Sequence, residues 1–145
     1  MKNQTEHTIP QGNITPITLP LGRLQDLIHQ NAISKGFYDG INLTGEPTKE
    51  LIASFTANLH GEVSEFWEAY RNGQLNEPCD KTEAMKEAHE GEGFLRLTCA
   101  EEELADIVIR AFDAAGALGI QLGRAIVAKH NYNTTRSHRH GGKRA

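Results

Sequence analysis

The chain has 145 residues, which is enough for one domain with a hydrophobic core. Hydrophobic residues make up 38% and charged residues 23%, which excludes a disordered chain, and no apolar run approaches the roughly 20 residues of a membrane-spanning helix. The net charge of −4 argues against a general nucleic-acid-binding protein.

The cysteines and the N-terminal residues indicate the cellular compartment in which the protein is expected. Cys79 and Cys99 have neither the number nor the CxxC spacing of a disulfide or redox framework. The first seven residues are polar and lack the apolar stretch of a secretory signal peptide. These features predict a cytoplasmic protein with reduced thiols and no membrane association.

Residues 1–20 are polar, contain Pro10, Pro16 and Pro20, and have no sustained apolar period. This composition is typical of a flexible N-terminal arm. A single domain with a basic C-terminal tail is predicted over residues 21–145.

Four helices are predicted in this domain from apolar residues that recur at helical spacing. Their expected extents are Leu21 to about Gly36, Lys49 to Arg71 behind the N-cap Thr48, Thr98 to about Gly119, and Leu122 to Tyr132. No stretch alternates in the manner of a β-strand. The expected fold is therefore all-α, a four-helix-type bundle.

The connection between helices two and three, residues 74–98, is interrupted by Pro78, Gly91 and Gly93. A connection this long in a small domain is typically functional or mobile. It is expected to be flap-like, with a short polar helix over residues 82–90.

Helices two and three each carry two acidic residues three positions apart, Glu62 with Glu65 and Glu103 with Asp106. Such residues are neighbours on a helix, about 5–6 Å apart at Cβ, and like charges there are destabilising. One pair alone is an ordinary solvated face, but two pairs on apolar helices predict four carboxylates around a cation. The two acids before Glu103 lie in the first helical turn, where the helix dipole favours negative charge.

Oxygen ligands select hard divalent cations, so the predicted ion is Mg²⁺, with Mn²⁺ as an alternative. A di-iron bundle would need Glu-x-x-His on paired helices, and no histidine here has a glutamate three residues before it. No Cys/His cluster has zinc-ligand spacing, and no glycine-rich loop is of the Walker type.

Beyond residue 123 the chain has no acidic residue and is rich in basic ones. Two interpretations are open, a solvated basic tail or an anion-binding end. In the second, Lys129, Arg136 and Lys143 bind phosphate oxygens, and Asn133 hydrogen-bonds to phosphate or sugar. Combined with a carboxylate-bound cation, these residues predict phosphoryl-group hydrolysis, in which the metal activates water and a carboxylate acts as general base.

Several blocks of the sequence resemble one family, the MazG-like all-α NTP pyrophosphatases of the MazG/dimeric dUTPase-like superfamily. The blocks EVSE at residues 62–65 and ELAD at residues 103–106 resemble its ExxE…ExxD signature. The block KHNYNTTR at residues 129–136 is similar to its KxxxNxxR, residues 28–37 resemble its first helix, and residues 140–143 resemble its C-terminal tail.

The resemblance implies hydrolysis of a (d)NTP to the (d)NMP and pyrophosphate, which clears unwanted nucleotides from the pool. It also implies Mg²⁺ on Glu62, Glu65, Glu103 and Asp106, and a homodimer or homotetramer. Gly61 departs from the family, which often has a further Glu there. Two alternatives therefore stay open: a non-catalytic nucleotide-binding or helical interaction module on the same fold, and a structural helical oligomer with solvated acids.

Base recognition has four candidates for stacking or edge contacts, His29, Asn31, Tyr38 and Trp67. Trp67 is the single tryptophan and adjoins the acidic face, so it is the first choice. Each of the four also has an ordinary interpretation as a core or surface residue.

Overall fold

The computed structural model describes residues 7–88 and 96–137. Within these ranges the chain forms five α-helices and no β-strand: α1 (Gln11–Ser34), α2 (Lys49–Arg71), α3 (Thr82–Ala88), α4 (Cys99–Ala117) and α5 (Leu122–Thr134). The all-α prediction is confirmed, with four long helices and the short α3 in the connection between α2 and α4.

Contacts divide the described residues into two compact units. The α1–α5 unit contains residues 7–39 and 115–137, that is α1, the last turn of α4 and α5. The α2–α4 unit contains residues 40–88 and 96–114, that is α2, α3 and most of α4. The single domain expected from the sequence is thus divided into two units.

Helix α1 begins at Gln11 and includes Pro16 and Pro20. The prediction of a flexible arm up to residue 20 and a helix start near Leu21 is therefore wrong for residues 11–20. Proline usually interrupts a helix, because it lacks the N–H donor and crowds the preceding turn. Here α1 packs against α5, where Gly123 closely approaches Leu21 and the Thr18 carbonyl.

Paired hydrogen bonds join the start of α1 to the end of α5. The Ile9 N–H donates to Oδ1 of Asn131 at 2.8 Å, and Nδ2 of Asn131 donates to the Ile9 carbonyl at 3.1 Å. The hydroxyls of Thr8 and Thr134 lie 2.9 Å apart. These contacts link residues more than a hundred positions apart, so no local sequence pattern predicts them.

Gln25 fixes the turn between α4 and α5. Its buried carboxamide donates to the Ile120 carbonyl at 2.8 Å and accepts from the Leu122 N–H at 3.1 Å. Because both ends of the side chain are hydrogen-bonded, a polar residue is accommodated in the interior. Gly119 supplies the positive φ of +66° that the turn requires.

The α2–α4 unit agrees closely with the sequence predictions. Helix α2 has the expected bounds, and the Thr48 hydroxyl accepts a hydrogen bond from the Leu51 N–H at 3.2 Å as the predicted N-cap. Helix α3 begins at the expected residue, Thr82, while its predicted end at residue 90 lies outside the described residues. Among the residues described, no single helix has the length and apolar character of a membrane span.

Replacing Gly116 by alanine is expected to destabilise the α1–α5 unit. A Cβ at Gly116 would lie 2.6 Å from Cγ and 2.7 Å from Cβ of His29, and these atoms sit near the backbone, where they cannot move away freely. Overpacking of this kind costs about 1–3 kcal/mol, which exceeds the roughly 1 kcal/mol that alanine gains over glycine in a helix. Urea or thermal denaturation measures the loss.

Gly22→Ala is the matched control, because a Cβ at Gly22 in α1 would meet no atom within 4 Å. That variant should be as stable as the wild type or more so. Equal stability of Gly116→Ala and Gly22→Ala would contradict the close approach of His29.

Candidate functional site

A short antiparallel bridge joins the two ends of the connection between α2 and α4. Pro78 is paired with Thr98, and backbone hydrogen bonds of 3.0 and 2.9 Å flank this pair. The bridge brings the residues before α3 beside the first turn of α4.

Thr98 and Glu101 form a reciprocal cap at the start of α4. The Thr98 N–H and hydroxyl donate to Oε2 of Glu101 at 2.8 and 2.9 Å, and the Glu101 N–H donates to the Thr98 hydroxyl at 3.3 Å. These hydrogen bonds, first that of the Thr98 N–H, lower the pKa of Glu101. Glu101 therefore has the helix-capping role that its position in the first turn suggested.

Three of the four predicted metal ligands converge. Glu62 and Glu65 on α2 and Glu103 on α4 each bring one carboxylate oxygen within 4.8 Å of the others. Glu62 is buried at 7% exposure, whereas Glu65 is exposed. We call these three residues, together with Asp106 one turn further along α4, the acidic cluster.

Burial and like charges raise two pKa values in the acidic cluster. For Glu103 the main cause is burial, followed by the charge of Glu65. For Asp106 it is again burial, followed by the charge of Glu62, so the fourth predicted ligand lies within electrostatic reach of Glu62 and Glu103. Both shifts mean that the metal-free site opposes ionisation of Glu103 and Asp106.

One oxygen of the acidic cluster lacks a partner. Oε2 of Glu103 is buried, and no hydrogen-bond donor in the described part of the chain reaches it. An unpartnered carboxylate oxygen is unfavourable in the interior. A divalent cation would satisfy this atom, and a set of carboxylate oxygens alone suits Mg²⁺ or Mn²⁺.

The raised pKa values of Glu103 and Asp106 predict that the metal-free protein becomes more stable as the pH falls. Between the unfolded pKa, roughly 4, and the raised folded pKa, the folded state binds more protons than the unfolded chain. The free energy of unfolding therefore decreases as the pH rises through this window. Thermal melting in the presence of a chelator measures the effect.

The double variant Glu103→Gln, Asp106→Asn is the comparison for this prediction, because it removes both titrating groups while keeping side-chain size. Its stability should be higher than that of the wild type at neutral pH and equal to it below about pH 4. Stability curves that run parallel over the whole pH range would contradict the prediction.

Arg110 is a site residue that the sequence prediction missed. Its Nε donates to Oε1 of Glu62 at 2.7 Å. Arg110 follows Asp106 by four positions on α4, which places both on one helix face, so the helical spacing could have identified it.

The pair Lys81–Glu102 was also missed. The Lys81 ammonium forms an ion pair with the buried carboxylate of Glu102. No sequence periodicity relates these two residues, since only the bridge between Pro78 and Thr98 brings their segments together.

Three of the four predicted phosphate-binding residues, Lys129, Asn133 and Arg136, lie in the α1–α5 unit. Lys129 and Arg136 both contact the ring of Tyr132, with Nζ at 4.9 Å and Cζ at 6.0 Å from its centroid. Lys129 and Asn133 line a surface pocket of about 460 Å³ along α5. The fourth predicted residue, Lys143, lies outside the described residues.

The predicted base-binding residues differ in accessibility. His29 and Tyr38 are buried against each other in the α1–α5 unit, with ring centroids 5.1 Å apart and planes at 75°. Asn31 is exposed. Trp67 lies on α2 two positions after Glu65, where it is exposed and stacked on Tyr70 at 5.2 Å.

Gly61, the departure from the family motif, lies at an exposed position of α2. A Cβ there would meet no atom within 4 Å, so space does not require glycine at this position. The nearby acid Glu68 is likewise exposed.

Comparisons of the chain with models of protein families, with curated proteins and with solved structures find no match. The similarity to MazG-like pyrophosphatases therefore rests on the sequence blocks described above, and the family assignment stays a hypothesis.

Proposed function

We propose that this protein is a MazG-like, Mg²⁺-dependent nucleoside triphosphate pyrophosphohydrolase, which converts a (d)NTP and water to the (d)NMP and pyrophosphate. The observation that carries the proposal is the convergence of Glu62, Glu65 and Glu103 from two helices, together with a buried Oε2 of Glu103 that no donor among the described residues reaches. The mutual repulsion of these carboxylates is unfavourable without a cation, and a bound cation would remove it.

In this proposal Glu62, Glu65, Glu103 and Asp106 hold the cation. Bound Mg²⁺ or Mn²⁺ supplies Lewis acidity and neutralises charge on the phosphates. Arg110 donates to one oxygen of Glu62 and so fixes the direction of the other. Asp106 is outside the three converging carboxylates, so it is the carboxylate that we propose accepts a proton from the attacking water.

The basic residues Lys129, Asn133, Arg136 and Lys143 are proposed to bind the phosphate groups, Arg136 in bidentate fashion. The ring of Tyr132 restricts the positions of two of these cations, Lys129 and Arg136. Trp67 is the base-stacking residue that we favour, because its ring is exposed and therefore accessible to a base.

We also propose that the protein is a homodimer or homotetramer. On α2, Ile52, Val63 and Tyr70 lie on one helical stripe and are exposed. On α4, Leu104 and Val108 are exposed as well. A second copy of the chain would cover these apolar side chains, and sedimentation analysis tests this.

The compartment is proposed to be the cytoplasm. Cys79 and Cys99 are free thiols, which supports a reducing environment in which nucleotide pools are maintained.

The experiment that tests the proposal is incubation of the purified protein with canonical and modified (d)NTPs and Mg²⁺ or Mn²⁺, followed by measurement of pyrophosphate and monophosphate. Equal amounts of both products are expected. Absence of turnover on every nucleotide by folded protein would contradict the proposal. Calorimetric nucleotide binding without product would favour the non-catalytic binding module.

A further inference from the structure

Glu102 is a buried acid that the proposed cation set does not use. It is 4% exposed and lies directly before Glu103 on α4. A buried carboxylate needs a charge partner, and Lys81 provides it through an ion pair. The Lys81 side chain remains 55% exposed, so part of it faces solvent.

The Lys81 ammonium lies within electrostatic reach of the acidic cluster. Its positive charge opposes the rise in the pKa of both Glu103 and Asp106. Conversely, the hydrogen bond to Glu102, with smaller contributions from the charges of Glu102 and Asp106, raises the pKa of Lys81. Lys81 is thus a permanent cation beside the carboxylates, and the bridge at Pro78 and Thr98 together with Glu102 holds it there.

We propose that Lys81 is a further substrate-binding residue, whose ammonium contacts a phosphate oxygen of the nucleotide, and that Glu102 is its positioning residue. This inference rests on the proposed function. A polyphosphate that binds a cation in the acidic cluster brings its oxygens next to that cluster, where Lys81 already lies. An ammonium there binds phosphate as a point charge.

The position of Lys81 has two consequences of opposite sign. Without nucleotide, its positive charge repels a divalent cation and weakens cation binding. With nucleotide, the same charge attracts the phosphates. A purely structural lysine would produce neither effect, because its removal would weaken both kinds of binding or leave both unchanged.

The first experiment compares Lys81→Met with the wild type. The affinity for Mn²⁺ without nucleotide, measured by calorimetry, should increase by at least about threefold, and the increase should shrink at high salt. The KM for the nucleotide should rise by roughly tenfold or more with a smaller change in kcat. Lys81→Arg should restore both values towards those of the wild type.

Two further variants separate this role from a folding defect. Lys86→Met removes an exposed lysine of α3, the short helix that begins directly after Lys81, and should change neither quantity. The double variant Lys81→Met, Glu102→Gln removes the whole pair, so no buried charge is left unpaired. It should fold, bind Mn²⁺ about as the wild type does, and keep the raised KM.

The inference is overturned if Lys81→Met, correctly folded, binds Mn²⁺ no more tightly than the wild type, or if the double variant has the wild-type KM. Failure of the proposed function is a different result, namely a wild-type protein that turns over no nucleotide. In that case the affinity for a non-hydrolysable α,β-methylene nucleotide with Mg²⁺ replaces KM, and equal affinities of wild type and double variant would reject the role of Lys81.

Discussion

Glu65→Ala is expected to abolish pyrophosphate release, with a loss of about 100-fold or more. Glu65 is exposed, so its removal leaves the interior intact, but its carboxylate oxygen is one of the three that converge in the acidic cluster. Loss of several kcal/mol of charge stabilisation by the metal corresponds to a rate loss of this size. The initial rate of pyrophosphate release at saturating nucleotide and Mg²⁺ is the measurement, with circular dichroism to verify the helices.

Glu68→Ala is the matched control for this variant. Glu68 is also an exposed acid of α2, but it is outside the group of converging carboxylates. Its removal should change the rate less than about threefold, as is usual for a surface substitution. A comparable loss in both variants, or an active Glu65→Ala, would argue against the acidic cluster as the site of chemistry.

Addition of Mg²⁺ is expected to stabilise the folded protein substantially. A cation that binds the folded state alone adds about 2.7 kcal/mol at a concentration of 100 times its dissociation constant. The convergence of Glu62, Glu65 and Glu103 predicts this effect, because a bound cation both satisfies Oε2 of Glu103 and removes the carboxylate repulsion. The melting temperature, measured against Mg²⁺ concentration after dialysis against a chelator, reports it.

Glu103→Gln provides the internal comparison for the Mg²⁺ effect. It keeps the side-chain size and removes the charge, so the metal-free variant should melt above the metal-free wild type at neutral pH but gain little from Mg²⁺. Glu68→Gln should respond to Mg²⁺ as the wild type does. If neither Mg²⁺ nor chelation changes the wild-type melting temperature, the result would favour the alternative of a structural helical oligomer with solvated acids.

The helices illustrate where sequence reasoning succeeds. The sequence predicts helix α2 with its observed bounds, because three local signals indicate the same helix. These are the apolar period, the N-cap Thr48 at its start and the helix-ending pair Asn72-Gly73 after Arg71. Helix α1 was predicted too short, because Pro16 and Pro20 oppose helix formation locally and the contacts of residues 8 and 9 with α5 outweigh that preference.

In the acidic cluster, too, the sequence predicts some of the residues and not others. The i, i+3 spacing on two helices identified Glu62, Glu65, Glu103 and Asp106, since helical geometry alone places each pair on one face. No spacing in the sequence indicates Lys81, because the bridge between Pro78 and Thr98 brings its segment to α4.

The predicted base-binding residues mark a further limit. His29 and Tyr38 are polar aromatics whose sequence context fits either a ligand contact or an interior position. The close approach of Gly116 to His29 and the edge-to-face contact with Tyr38 place both inside the α1–α5 unit. Trp67, by contrast, is accessible, as a stacking residue has to be.

The sequence by itself therefore determined the helical class, the extent of α2, the caps at Thr48 and Thr98, and the four carboxylates on two helices. These are local properties that spacing along one helix encodes. Tertiary structure alone decided that oxygens of Glu62, Glu65 and Glu103 converge, that no donor within residues 7–88 and 96–137 reaches Oε2 of Glu103, and that Arg110 and Lys81 supply the neighbouring cations. Such contacts join residues that are distant in the chain. Their energies depend on burial, which local sequence patterns do not predict.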